Sequence, residues 1–156
     1  MPRIAPILAV FLTFAPQAAR AQSAADTAAI RAAALDYIEG WYAADGARME
    51  RALHPELAKR NVVSDAQGRS RLTQMSAMSL VQAARSGGGK STPAAEQKKD
   101  VRILDVYENA ASVRAEMAGW VDYMHLGKTN GQWKIVNVLW AVKPQGAPGG
   151  QDAARR

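Results

Sequence analysis

The chain has 156 residues, no cysteine and a formal net charge of +6. This length suits one domain with a sizeable core, and the absence of cysteine excludes disulfides and thiol chemistry. The basic excess is mild, its residues are scattered, and no recognised nucleic-acid-binding motif accompanies them, so we expect no nucleic-acid partner.

The first residues have the three parts of a secretory signal peptide. A basic start containing Arg3 is followed by an apolar run over residues 4–15 and then by small residues. This pattern predicts a signal peptide over residues 1–21, cleaved near Ala21-Gln22, and a mature chain that is periplasmic or secreted. The alternative is a hydrophobic N-terminus of a cytosolic protein. The run is too short to span a membrane, and no later run approaches that length, so the mature chain is predicted to lack a transmembrane segment.

The first predicted element of the mature chain is a long amphipathic helix over residues 28–44. Asp26-Thr27 offers a cap at its start, and strong helix formers fill the segment. The apolar face of this helix consists of Ile30, Ala34, Tyr37, Ile38, Trp41 and Tyr42. A face this wide indicates a helix that packs broadly against the rest of the domain.

Shorter elements follow the long helix. In chain order they are a helix over residues 47–53, a strand over residues 57–63, a strand or helix entry over residues 71–75, and a helix over residues 76–85. The first of these helices ends at His54-Pro55, because proline restricts the backbone of the residue before it. In the last helix, Met78 and Val81 are predicted to face inward.

A polar, glycine-rich loop over residues 86–99 separates these helices from a run of strands. Its Gly87-Gly88-Gly89-Lys90-Ser91-Thr92 segment lacks the preceding strand and following helix of a P-loop, so we expect a flexible loop over the mouth of a pocket. Strands are predicted over residues 101–107 and 111–120, and then in a hairpin over residues 119–144. Asn130-Gly131 predicts the tight turn of that hairpin, because both residues tolerate positive φ.

Helices that precede antiparallel strands predict an α+β fold with the N-terminal helices packed on a curved antiparallel sheet. A twisted sheet curled around a long helix forms a cone, and its open mouth would hold a pocket. We predict this domain over residues 22–143. Residues 144–156 are rich in Gly, Pro, Gln and Ala and are predicted to form a disordered tail.

Three stretches of the sequence carry a family resemblance. They are Tyr37 to Trp41, Leu53-His54-Pro55-Glu56-Leu57-Ala58-Lys59-Arg60, and the hairpin arms Val121 to Leu126 and Asn130 to Asn137. Over residues 26–143 the chain resembles the nuclear transport factor 2-like superfamily and, within it, the putative lumazine-binding branch. The resemblance implies the cone-shaped fold of ketosteroid isomerase, scytalone dehydratase and polyketide cyclases. It also implies a homodimer formed through the sheet and a small organic molecule in the cone.

The candidate ligand-binding residues are aromatic, basic or histidine side chains: Tyr37, Trp41, His54, Arg60, Tyr123, His125 and Trp140. The aromatic residues of the first helix and Trp140 are suited to stacking a flat ring, although such residues often only pack in a core. Arg60 stands in the stretch where the resemblance implies a carboxylate base. Its planar guanidinium suits an anionic ligand instead, the alternative being that Lys59 and Arg60 are solvated at a strand edge.

The candidate catalytic residues are His54, His125 and Tyr123, since a histidine titrates near neutrality and can act as acid or base. His54 has the alternative of bonding a backbone group at a helix end. Tyr123 and His125 share one strand face, which lines either the cone or the dimer interface. Asp122 points to the opposite face and cannot join them in a triad. Two histidines without paired spacing argue against a metal site, and we expect no cofactor.

Three functional hypotheses follow. The first is an exported protein that binds a small anionic or aromatic molecule in the cone. The second is an enzyme of the isomerase, dehydratase or cyclase kind with a His/Tyr acid–base pair. The third is a protein-interaction module whose pocket is filled by Trp41, Met78, Met117 and Trp140. The missing carboxylate base and the scarcity of histidine favour the first, and catalysis stays open.

Overall fold

The computed structural model describes residues 15–144, with side chains described from residue 24. The helices are α1 (Ala15–Ala43), α2 (Gly46–Ala52) and α3 (Ala77–Arg85), with a short 3-10 helix at Ala94–Glu96. The strands are β1 (Leu53–Ser64), β2 (Ser70–Ser76), β3 (Asp100–Tyr107), β4 (Ala110–Glu116), β5 (Trp120–Thr129) and β6 (Gln132–Val142). Residues 1–14 of the predicted signal peptide and residues 145–156 of the predicted tail lie outside the described residues, so both assignments stay predictions. Within the described part, no helix has the length and apolar character needed to cross a membrane.

The strands form one curved, open sheet in the order β2-β1-β6-β5-β4-β3. The helices α1 and α2 precede the first strand, α3 follows β2, and the helices pack on this sheet, which confirms the predicted α+β fold class. The sheet is mixed, however, because β1 and β6 pair in parallel while every other neighbouring pair is antiparallel. A parallel pair needs a long connection, and the chain between β1 and β6 contains α3 and four strands.

The long helix α1 lies against the sheet with its predicted apolar face buried. Ile30, Ala34 and Ile38 are fully buried there. The predicted cap at Asp26 is wrong, because α1 begins at Ala15. The Asp26 carboxylate instead accepts hydrogen bonds from Lys128 Nζ at 2.7 Å and Trp133 Nε1 at 3.0 Å. It thereby fastens the helix to the two strands of the hairpin.

The β5–β6 hairpin forms as predicted and fixes which residues face the core. Asn130 and Gly131 have φ values of 51° and 77°, so both central residues of the turn occupy the left-handed region. On β5, the buried residues are Asp122, Met124 and Leu126, and they alternate with exposed Tyr123 and His125. The first set therefore faces α1, and the second set lies on the outer face of the sheet.

Two local predictions differ from the structure. β1 begins at Leu53, so His54 and Pro55 lie in a strand. The pairing of β1 with β6 is irregular between Leu53 and Ala58, an interval that contains Pro55, which has no N–H to donate. Met78 is 68% exposed rather than inward-facing. The buried residues of α3 are Ala77, Leu80, Val81 and Ala84, a stripe at helical spacing from which Met78 points away.

Candidate functional site

A cavity of about 140 Å³ lies between α1, α3 and the inner face of the sheet. Its walls are made by Tyr37, Trp41, Lys59, Met75, Leu80, Met117, Trp120 and Trp140. Apart from the polar ends of Tyr37 and Lys59, these side chains are predominantly apolar. An apolar cavity of about 150 Å³ can hold benzene, so this one has room for roughly one aromatic ring.

Four of the eight side chains in the cavity wall are aromatic. Trp120 contacts Trp41 and Trp140 edge to face, with ring centroids 5.7 Å and 6.4 Å apart. Tyr37 lies one helical turn before Trp41 on α1. The structure therefore brings together Tyr37, Trp41 and Trp140, three of the residues predicted for ligand binding, and adds Trp120. Their use in binding stays a prediction.

A buried ion pair stands in the cavity wall. Lys59 Nζ on β1 lies 2.6 Å from Asp122 Oδ1 on β5, and the side chains are 8% and 0% exposed. Lys59 Nζ also donates to Tyr37 Oη at 2.6 Å, and the Tyr37 hydroxyl donates to Asp122 Oδ2 at 3.4 Å. The three polar groups thus form a closed triangle beside the aromatic rings.

Burial shifts the pKa of each group in this triangle. Loss of hydration lowers the pKa of Lys59 and raises that of Asp122, while the attraction between their charges opposes both shifts. Burial, followed by the negative charge of Asp122, raises the pKa of Tyr37 well above its ordinary value. The neutral amine and carboxylic acid are therefore closer in free energy to the ion pair here than they would be in water.

One aromatic ring and one hydroxyl group hold the Lys59 ammonium at the cavity. Nζ lies 5.0 Å from the ring centroid of Trp140 and 2.6 Å from Tyr37 Oη. The negative face of an aromatic ring attracts a cation at the first of these distances. Together with Asp122, these contacts offset part of the lost hydration and fix the nitrogen in the cavity wall.

The glycine-rich segment after α3 packs against Trp41. Gly89 N donates to Trp41 O at 3.2 Å. A Cβ atom added to Gly88 or Gly89 would lie under 3.0 Å from atoms of the Trp41 ring, so a larger residue at either position requires the ring or the segment to move. Trp41 Nε1 is buried and has no hydrogen-bond partner within the part of the chain that the structure describes. This segment closes the wall behind Trp41, where the sequence predicted a flexible loop over the pocket mouth.

The remaining predicted site residues lie away from the cavity. Arg60 is on the outer face of the sheet, where it donates to Gln74 Oε1 at 2.9 Å and Asn137 Oδ1 at 3.1 Å. His125 shares that face with Tyr123 and lies 3.2 Å from Asn137 Nδ2 through its Nδ1. This strand face was predicted to line either the cone or the dimer interface, and the burial pattern of β5 excludes the cone.

His54 makes a local backbone contact instead of joining the cavity. Its Nδ1 accepts from Glu56 N at 3.2 Å, which agrees with the alternative of a backbone bond. Arg60, His54, Tyr123 and His125 are thus separated from the aromatic wall. Among residues 24–144, no cluster of three or more His, Asp or Glu side chains could hold a metal ion.

Lys59 and Asp122 were not predicted as site residues, although the alternation of residues along their strands places both on mostly apolar faces. Lys59 shares its strand face with buried Leu57, and Asp122 shares its face with Met124. A charged residue beside apolar residues on one face of each strand, with opposite signs, indicates a buried pair. The two residues are 63 positions apart, so no local pattern links them.

A larger groove of about 420 Å³ lies between α2, α3 and the start of β1. Its rim carries Glu50, Arg85 and Lys134, and the first two form an exposed ion pair at 3.4 Å. An exposed ion pair of this kind is screened by water and contributes little free energy. The smaller cavity has the aromatic surface and the buried polar groups that a ligand site requires.

The family described as "Putative lumazine-binding" matches residues 25–141. No curated protein sequence matches the chain.

Three solved structures share the fold. A nuclear transport factor 2-like protein of unknown function from Shewanella baltica OS155 has 24% identity and a TM-score of 0.62, over 78% of this chain and 96% of that one. A similar protein with a cystatin-like fold from Novosphingobium aromaticivorans has 15% identity and a TM-score of 0.62, over 86% and 92%. A hexachlorocyclohexane dehydrochlorinase of type 2 has 10% identity and a TM-score of 0.52, over 79% and 88%. At these identities the likeness concerns the fold alone.

Proposed function

The chain belongs to the putative lumazine-binding family of the nuclear transport factor 2-like superfamily, and from this premise we propose that it binds a small aromatic molecule in the cavity beneath α1. The observation that carries this proposal is the convergence of Tyr37, Trp41, Trp120 and Trp140 on a space of about 140 Å³. Aromatic walls at edge-to-face angles offer ring faces to a flat ligand. The cavity volume supports one ring with short substituents.

The charges of the cavity favour a neutral ligand. Lys59 is the cationic residue of the lining, and Asp122 already neutralises it at 2.6 Å. An anionic ligand would compete for Lys59 and leave the Asp122 carboxylate buried without its partner, which is strongly unfavourable. The anionic alternative depended on Arg60, which bonds Gln74 and Asn137 on the other face of the sheet.

The export of the protein and its homodimer are also part of the proposal. Export is supported by the pattern of residues 1–21. A dimer of two copies through the outer sheet face is supported by two cross-strand pairs of exposed apolar residues. They are Val62 opposite Leu72, each 60% exposed, and Tyr123 opposite Leu139, 49% and 48% exposed. An apolar face of this kind is typical of a surface that a partner covers.

The other two hypotheses have less support. A His/Tyr acid–base pair would have to act on the outer face, because Tyr123 and His125 are remote from the cavity side of β5. A pocket filled by its own side chains would need Met78, which is exposed on α3. Small-molecule binding in the cavity therefore remains the function that we propose.

Binding is tested by thermal unfolding of the purified protein with phenol, toluene or benzyl alcohol, each of which has a single ring. A ligand that binds only the folded state raises the melting temperature in a saturable way. Three of the four tryptophans line the cavity, so tryptophan fluorescence gives a second readout. Trp140→Leu should abolish both responses, and His125→Ala, on the outer face, should retain them. The absence of a response to every probe, or an unchanged response in Trp140→Leu, would overturn the proposal.

A further inference from the structure

We propose that Lys59 captures the carbonyl group of an aldehyde or ketone in the cavity as an imine, with Asp122 and Tyr37 handling the protons. This inference rests on the proposed function, since it names the functional group that a ligand of the cavity carries. It goes further because it assigns covalent chemistry to the buried triangle of polar groups.

The position of Lys59 suits a nucleophilic amine. Its side chain is 8% exposed, and its nitrogen lies in the wall of the cavity, 5.0 Å from the ring centroid of Trp140 and 2.6 Å from Tyr37 Oη. An amine attacks a carbonyl only when it is unprotonated, and desolvation in a hydrophobic pocket is one way in which proteins favour that form. The burial that lowers the pKa of Lys59 acts in this direction.

Asp122 is placed to take the proton that Lys59 must lose. Its Oδ1 lies 2.6 Å from Nζ, within reach for direct proton transfer. The side chain is fully buried, so loss of hydration raises the pKa of the carboxyl and makes the acid form accessible. Tyr37 retains its hydroxyl proton, because burial and Asp122 raise its pKa, and it can donate a hydrogen bond to the carbonyl oxygen as negative charge develops there.

The reaction balances without a further reactant. The Lys59 ammonium gives a proton to Asp122, and the free amine then forms a C–N bond to the carbonyl carbon while the C=O π electrons move to oxygen. Asp122 returns its proton to that oxygen and takes one from the new nitrogen. It then protonates the hydroxyl group, which leaves as water as the C=N bond forms. The product is a protonated imine beside the Asp122 carboxylate, so the ion pair of the resting protein is restored.

The burial of Lys59 distinguishes it from another ion-paired lysine in the chain. Lys98 Nζ lies 2.7 Å from Glu116 Oε1, nearly the same distance as in the Lys59 pair, but its side chain is 48% exposed. Solvent reaches the Lys98 side chain, whereas the cavity wall encloses that of Lys59. A comparison of the two lysines therefore separates the effect of burial from the effect of a neighbouring carboxylate.

The experiment is reductive trapping with benzaldehyde. The full protein is incubated with benzaldehyde and sodium cyanoborohydride at neutral pH, and the product is examined by intact mass and peptide mapping. The expected result is one benzyl group per chain, located on Lys59. Lys59→Arg should lose this adduct and Lys98→Arg should retain it. Labelling spread over exposed lysines with none at Lys59 would overturn the inference, and wild-type mapping decides this even if Lys59→Arg fails to fold.

Benzyl alcohol separates this inference from the proposed function. It has the same ring and no carbonyl, so it should raise the melting temperature and slow the benzaldehyde reaction at Lys59 without leaving an adduct. If benzyl alcohol binds and benzaldehyde still leaves no adduct on Lys59, the imine inference is wrong and cavity binding stands. If neither compound binds and no adduct forms on Lys59, both fail.

Discussion

Lys59 Nζ and Asp122 Oδ1 lie 2.6 Å apart, and these are the two charged side chains that are buried among residues 24–144. They stand on β1 and β5, with β6 between them in the sheet. Each charge loses its hydration on folding, and each relies on the other to compensate for that loss. The pair therefore makes the cavity wall sensitive to any change that removes one partner alone.

Removing one member of this pair should destabilise the protein more than removing both. We expect Lys59→Met or Asp122→Leu alone to lower the free energy of unfolding by about 3–5 kcal/mol, because each leaves a buried charge unpaired. The double variant should be close to the wild type or more stable. Urea denaturation of the four proteins gives the coupling energy. If the double variant loses the sum of the two single effects, the pair is not coupled. Lys98→Met, at an exposed ion pair, is the control and should lower the free energy of unfolding by about 1 kcal/mol or less.

A methyl group on the glycine segment should disturb Trp41. The Cβ of Gly88→Ala or Gly89→Ala would lie under 3.0 Å from the indole ring, so either the segment or the ring must move. We expect a loss of about 1–3 kcal/mol in stability and a change in tryptophan fluorescence, as is usual when a packed site is overfilled. Gly119→Ala is the matched control, because nothing lies within 4 Å of its added Cβ. Equal effects at positions 88, 89 and 119 would argue against the packing described for Trp41.

Glu116 should make stability depend on acidic pH. Contacts with Lys143 at 2.8 Å, Lys98 at 2.7 Å and Arg114 at 3.0 Å lower the pKa of its carboxyl to about 2. The unfolded chain binds the proton at a higher pH than the folded chain, near the ordinary value of 4.5. The stabilisation is therefore fully present above that value and is lost as pH falls towards about 2.

Glu116→Gln tests this dependence. The variant should be less stable than the wild type at pH 7, by about 1–3 kcal/mol, since it loses hydrogen bonds to charged groups. The difference should shrink as pH falls from about 4.5 and disappear near the folded pKa of about 2. Urea midpoints between these pH values measure it. A constant difference over the whole range would contradict the assignment, and Lys143→Met should reduce the pH dependence of the parent protein.

The proposed homodimer predicts that a charge on the outer sheet face separates the two copies. Leu139→Arg places a cation among the exposed apolar residues of that face, where burial against a second copy becomes unfavourable. Sedimentation should then show a monomer, with the melting-temperature response to phenol retained. Met78→Lys is the control, because Met78 is an exposed apolar residue on α3, away from that face. A wild-type protein that sediments as a monomer at high concentration would rule the dimer out.

The sequence predicted those features that depend on local chemistry. Asn130-Gly131 fixes the turn because both residues adopt positive φ, and the apolar stripe of α1 identifies its buried face. The alternation along β5 divides its residues into two sets, but it does not say which set faces inward. That choice depends on strands β4 and β6 and on the helix above them. Tyr123 and His125 were consequently assigned to the cavity or the outer face as open alternatives.

The candidate site was harder to predict because its polar residues depend on one another. Asp122 on an otherwise apolar strand face is intelligible only once Lys59 lies beside it, 63 residues away in the sequence. The aromatic residues were easier, since large aromatic side chains are buried wherever the fold permits. Arg60 carries the same charge as its neighbour Lys59, yet the two side chains face opposite sides of the sheet. The sequence predicted Arg60 as a site residue, but the residue in the cavity wall is Lys59, one position earlier. Neighbouring residues of a strand point to opposite faces of the sheet.

Because β6 lies in the middle of the sheet, the cavity wall that contains Lys59 and Asp122 forms only after β6 has been added. β6 is the last strand in sequence order, yet it joins β1 to β5 in the sheet. A growing chain that has not reached β6 holds two separate strand groups, β2-β1 and β5-β4-β3, with no ladder between them. Lys59 belongs to one group and Asp122 to the other, so their charges cannot meet until that strand is inserted. The proposed ligand binding and the proposed amine chemistry therefore both require that Trp140 has been synthesised.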